Sequence, residues 1–147
     1  MVEDIKDMAH DEAGQPPIPR ASAAYDGDAV MTPAARDLVA DFLARAQGER
    51  GLPVTAKTTQ IARLVVSELV TNVAKYAPGP CLLDAEILGD GLQLTVWDTE
   101  AHLPGLATPD TERVGRHGME IVLALCRHFE ISQQTGGKRI RARITLD

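Results

Sequence analysis

Val65-Val66-Ser67-Glu68-Leu69-Val70-Thr71-Asn72-Val73-Ala74-Lys75-Tyr76 is the stretch whose reading decides the fold. Upstream, Thr55 follows Pro53 as a good N-cap, and Ile61, Leu64, Val65, Leu69 and Val73 recur at intervals of three and four, the spacing of one helix face. The helix must stop before Pro78-Gly79-Pro80. Glu68 and Asn72 are four apart, so their side chains leave from the same face, about 100° around from Leu69 and Val73. A carboxylate and a carboxamide then converge at the edge of the buried stripe. Asn offers a neutral oxygen to a hard cation, and Glu can orient or deprotonate a nucleophile. Alone, such a pair belongs to the solvated side of a helix, so the rest of the chain must decide.

Working outward, Ala21 to Tyr25 reads as a short edge strand and Asp26-Gly27-Asp28 as a turn. Thr32-Pro33 reads as an N-cap with proline at the first helical position, and Leu38, Val39, Phe42 and Leu43 give a first helix ending near Gln47-Gly48. On the other side, Leu82 to Leu88 and Leu92 to Trp97 alternate around Gly89-Asp90-Gly91, a β-hairpin. Trp97 points away from Asp98 and is expected between sheet and helices. Thr99 to Arg116 has little periodicity and reads as a long loop, of the kind that is functional or disordered. Met119 to Cys126 is a compact apolar helix, and Phe129 to Gln133 with Ile140 to Leu146 form a closing hairpin across Gly136-Gly137. Arg139, Arg141 and Arg143 alternate with Ile140, Ala142 and Ile144, placing the arginines on the solvent face, or less simply on a basic docking stripe. Helices before and between antiparallel strands give an α+β two-layer sandwich, one mostly antiparallel sheet covered on one face by helices.

The chain's 147 residues suit one domain, residues 21–147, behind an acidic and Pro-rich tail, residues 1–20, that carries Glu3, Asp4, Asp7, Asp11 and Glu12 and is expected to be mobile. Hydrophobic residues make up 44% and charged residues 24%, the balance of a globular domain; with aromatics at 3%, the core must come from Leu, Val, Ile and Ala. A net charge of −6 argues against a protein that wraps nucleic acid. No apolar run is long enough to span a bilayer and the start lacks the regions of a signal peptide, so no membrane and a cytoplasmic location are expected. Cys81 and Cys126 have no CxxC partner and read as buried reduced thiols; His10, His102, His117 and His128 are scattered, which disfavours zinc.

The order of the remaining features gives the Glu68/Asn72 pair its meaning. Lys75-Tyr76 ends the helix, Val96-Trp97-Asp98 ends the hairpin, and Gly115-Arg116-His117-Gly118-Met119 opens the next helix. Glycines at a helix start let backbone N–H groups approach phosphate, with the positive end of the helix dipole behind them. An Asp at a strand end can accept from an exocyclic amine, as reading adenine requires. Lys75 can equally be a solvated lysine complementing the helix dipole, Tyr76 a core-edge tyrosine, and His117 a loop histidine.

In this order the chain closely resembles the GHKL superfamily of ATPases, which includes sensor histidine kinases and anti-sigma-factor serine kinases. Glu68 to Ala77 looks like the N box, Asp98 like the aspartate of the first glycine box, Gly115 to Met119 like the second box, and Gly136-Gly137-Lys138 like the turn before the last strand. The resemblance runs from Thr32 to Asp147 and implies the Bergerat-type ATP-binding fold. The short chain and the wording of Val65 to Asn72 resemble the stand-alone bacterial anti-sigma-factor serine/threonine kinases.

That resemblance implies ATP and Mg²⁺ as cofactors, with Asn72 holding the metal and Glu68 as general base. It also implies Asp98 on the adenine amino group, Gly115, Gly118 and Met119 around the phosphates, and Lys75 as a phosphate contact. It implies an ATP-dependent protein serine/threonine kinase that phosphorylates or sequesters a partner in transcriptional regulation. The partners would be a sigma factor and an anti-anti-sigma protein of the STAS type, with a homodimer left open. One departure stands out: where the family has Asp-x-Gly-x-Gly, this chain has Asp98-Thr99-Glu100-Ala101-His102, and Arg116 stands at a place often occupied by glycine. The alternative is a degenerate binding module of the same fold, acting by protein contact with weak or no ATP turnover.

Overall fold

The computed structural model describes residues 18–28, 30–99 and 118–146. In chain order these form β1 (Arg20–Tyr25), α1 (Met31–Arg50), α2 (Ala56–Tyr76), β2 (Cys81–Leu88), β3 (Gly91–Asp98), a helix over residues 118–125 called α3, β4 (His128–Gln134) and β5 (Gly137–Thr145). The strands make one antiparallel sheet in the order β1-β2-β3-β5-β4. Hairpin β2–β3 closes through Gly89-Asp90, with Gly89 at φ 61°, the positive φ that a tight two-residue turn demands.

Alternation along the strands sends Leu83, Ala85 and Ile87, Leu92, Leu94 and Val96, and Ile140, Ala142 and Ile144 to one face, where all are buried in a single core with the helices. Helix α1 packs on β1 and β2, and α2 on β3 and β5. Val65, Val66, Leu69 and Val70 of α2 are wholly buried. Truncating such a residue costs about 2–5 kcal/mol, so this face fixes the helix in place. Phe42 is the one aromatic among the buried hydrophobics of the described residues, so aliphatic side chains do build the core. The α+β sandwich is as expected: helices cover one face of an open antiparallel sheet.

Several boundaries differ from the sequence reading. Helix α1 starts at Met31, a residue before the expected cap; Thr32 lies within its first turn, and the Asp28 carboxylate accepts from the Val30 N–H. The helix also runs past Gly48 to Arg50 and stops at Gly51, whose φ of 66° is left-handed. Thr55 caps α2 as expected, its hydroxyl accepting from the Thr58 N–H at 3.1 Å. Leu64, expected on the apolar face, is exposed. Trp97 is not between sheet and helices: it shares the parity of Gln93 and Thr95, lies opposite Leu82 and Arg139, and so belongs to the uncovered face. Strand β1 begins one residue earlier than expected, β4 extends by one at each end, and β5 takes in Gly137 and Lys138, which the sequence placed in the preceding turn. The three arginines Arg139, Arg141 and Arg143 do line the uncovered face, half-buried.

Candidate functional site

Three strand ends meet at the C-terminal end of β3. Asp98, the last residue of β3, is paired with Cys81 of β2 on one side and Lys138 of β5 on the other. It has the parity of Leu94 and Val96, so its side chain belongs to the helix-covered face, and its carboxylate is closed off from solvent, with 1% of the side chain exposed. Lys138 donates from Nζ to Asp98 Oδ2 at 2.6 Å, and only 6% of that lysine side chain is exposed. Gly137 makes this approach possible, because a Cβ there would overlap the Asp98 carbonyl. Burial pushes the Cys81 thiol up to about 11, and the negative charge of Asp98 adds to the shift. The Cys81 Sγ meets Met31 Sδ at 3.6 Å, so the thiol is held in the core as expected. Cys126 is free but only half-buried, and burial alone raises it to about 11.

The second grouping lies on α2. Glu68 and Asn72, one turn apart, are both half-buried on the flank of the helix beside buried Leu69 and Val73. Gly118, the first described residue of α3, is buried against Glu68: a Cβ there would overlap the Glu68 carboxylate. A larger residue at this position of α3 would push the Glu68 carboxylate aside. Met119 packs partly buried on the core, and Val122 is wholly buried in it, so α3 is anchored just behind the contact. Lys75 stands exposed in the last turn of α2, and Tyr76 is half-buried.

The structure thus joins Glu68 with Gly118, and Asp98 with Lys138. It leaves Lys75 in solvent. Gly115, Glu100, His102, Arg116 and His117 lie outside the described residues, as do His10 and the acidic positions of the tail. Among the described residues no group of three or more His, Cys, Asp or Glu could hold a metal ion. Magnesium needs no such cage, since it keeps several waters and takes one or two protein oxygens beside substrate phosphates, a place Asn72 can fill. The residues fit ATP: an acceptor shielded from water stands at the strand end, and a helical glycine without a Cβ abuts a carboxylate. Lys138 was missed as a site residue. Its parity with Ile140, Ala142 and Ile144 was the available signal, because an inward-facing lysine demands a buried counter-charge.

Compared with known families, residues 29–144 match the histidine kinase-like ATPase domain, which is most of the chain; the chain belongs to that family, and ATP binding goes with it. No curated protein matches it. Similar solved structures include the blue-light activated histidine kinase of Erythrobacter litoralis, with a TM-score of 0.48 and 22% identity over 63% of this chain and 32% of that one. The histidine kinase domain of the same protein matches with a TM-score of 0.48 and 18% identity, covering 76% of this chain and 61% of that one. The histidine kinase AdeS of Acinetobacter baumannii gives 0.45 and 18%, covering 99% and 77%. The chain spans less than two thirds of the length of the first two structures.

Proposed function

We propose that this histidine kinase-like ATPase domain is an ATP-binding regulator of the anti-sigma serine/threonine kinase type, phosphorylating or sequestering a protein partner in bacterial transcription. The observation that carries the reading is the seat of Gly118 against the Glu68 carboxylate, which puts a glycine of α3 beside a general-base candidate of α2. In this reading Asn72 holds Mg²⁺, and Glu68 takes the proton from the partner's attacking hydroxyl. Asp98 accepts from the adenine amino group. Gly115, Gly118 and Met119 border the phosphates, and Lys75 reaches them from the end of α2. Bound Mg·ATP supplies the phosphoryl group and neutralises its charge; the protein's share is mostly positioning. The partners are a sigma factor and an STAS-type anti-anti-sigma protein in the cytoplasm, with neither nucleic acid nor membrane as a direct partner. Among the described residues no helix is long and apolar enough to cross a membrane.

The altered first glycine box motivates the second reading, a binding module with little turnover: Glu100 and His102 stand where the family has glycine. A melting experiment with Mg·ATP separates the two. A ligand bound only by the folded state at 100 times its Kd stabilises by about 2.7 kcal/mol, roughly 5–10 °C for a domain of this size. The kinase reading expects that rise in wild type and its loss in Asn72→Ala, with Glu68→Ala binding ATP but no longer transferring phosphate. Unchanged ATP affinity in Asn72→Ala would remove the metal role of Asn72, and no shift at millimolar nucleotide would leave the binding module.

A further inference from the structure

We infer that Lys138 is a specificity-determining residue for the nucleotide base: its ammonium keeps the Asp98 carboxylate ionised and aimed, and so makes Asp98 a strong acceptor for an exocyclic amine. The inference rests on the adenine role proposed for Asp98 and extends it to a residue of the neighbouring strand. Three observations carry it. The antiparallel register sets Lys138 directly opposite Asp98. Gly137 lets β5 come against the Asp98 backbone at that point. The Nζ to Oδ2 bond of 2.6 Å joins two side chains of which 6% and 1% are exposed.

The chemistry follows from burial. A carboxylate cut off from water takes up a proton unless an opposite charge stands beside it. Protonated, it keeps only the weaker carbonyl acceptor of a neutral acid and adds a hydroxyl donor that an adenine amino group, itself a donor, cannot use. Lys138 therefore sets the strength of the hydrogen bond on which base discrimination depends. The other ionisable neighbour across the ladder is Cys81, whose thiol burial raises to about 11. A lysine kept only for stability has no need of this place, because a buried ion pair is commonly replaceable by apolar residues without loss.

The test compares ATP with its analogue lacking the 6-amino group, each with Mg²⁺, by calorimetric titration of the full chain. Wild type should bind ATP about tenfold tighter or better, the worth of a hydrogen bond to a charged group. Lys138→Met should cut the ratio severalfold by weakening ATP, and Lys138→Arg should keep most of the wild-type ratio. A purely structural lysine would weaken both nucleotides alike and leave the ratio standing, and that result would overturn the inference. If Lys138→Met does not fold, Lys138→Gln, which keeps a hydrogen-bond donor without the charge, is judged by the same ratio. Wild type binding both nucleotides equally well would instead remove the adenine role of Asp98, and this inference with it; no binding of either would remove the ATP reading as a whole.

Discussion

Two aspartates of the same sheet are equally hidden and differently kept. Asp84 in β2 is 2% exposed and lies on the uncovered face, where Arg20 donates from Nε at 2.8 Å and Ser22 from its hydroxyl. Arg20 is half in water, with 54% of its side chain exposed, so this charge pair shares its burden with solvent. Asp98 in β3 is on the covered face, and its partner Lys138 is as enclosed as it is. The first arrangement ties the edge strand β1 to β2. The second encloses a charge pair at the end of a strand, beside the close approach of Gly137 to the Asp98 backbone.

Breaking the enclosed pair should have the largest effect. Lys138→Met leaves a buried carboxylate without its counter-charge and should cost about 3 kcal/mol in urea unfolding; a loss below that of Asp84→Asn would erase the distinction between the two sites. Asp84→Asn, which weakens two hydrogen bonds on the open face, should cost about 1–2 kcal/mol by the same measurement. Arg20→Met should cost less than about 1 kcal/mol, because its charge is largely solvated.

A further effect is confined to alkaline pH. The Cys81 thiol is raised from its ordinary value of 9.0 to about 11 by burial first and Asp98 second. Since the folded value lies above the unfolded one, the neutral thiol's contribution is fully present below pH 9 and is lost as pH rises toward 11. Melting curves of wild type and Cys81→Ala between pH 8 and 10.5 should converge at the alkaline end. Parallel curves would mean that Asp98 and the core do not hold the thiol neutral.

The core helix was legible because Thr55 and the three-and-four spacing of Val65, Leu69 and Val73 agree with each other and with the fold. The sheet was legible from alternation. Boundaries were less so: Gly48 looked like a stop, yet nothing lies within 4 Å of the position a Cβ would take there, and the helix passes through it to reach the left-handed Gly51. Trp97 was misplaced because a large aromatic suggests the core, whereas strand parity puts it with Gln93 and Thr95. Of the site, Glu68, Asn72 and Asp98 stood out by spacing and order. Lys138 did not, because Gly136-Gly137 suggested a turn and drew attention from the inward parity of the residue after it. The closeness of Gly118 to Glu68 depends on two helices distant in sequence, which no local pattern encodes.

The central claim is that Asp98 marks the base end of an ATP site. Calorimetric titration of Mg·ATP into wild type and Asp98→Asn tests it most directly. A single saturable site in wild type, weakened about tenfold or more in Asp98→Asn, is the predicted result; equal affinity in the two proteins, or no binding in wild type, would contradict it.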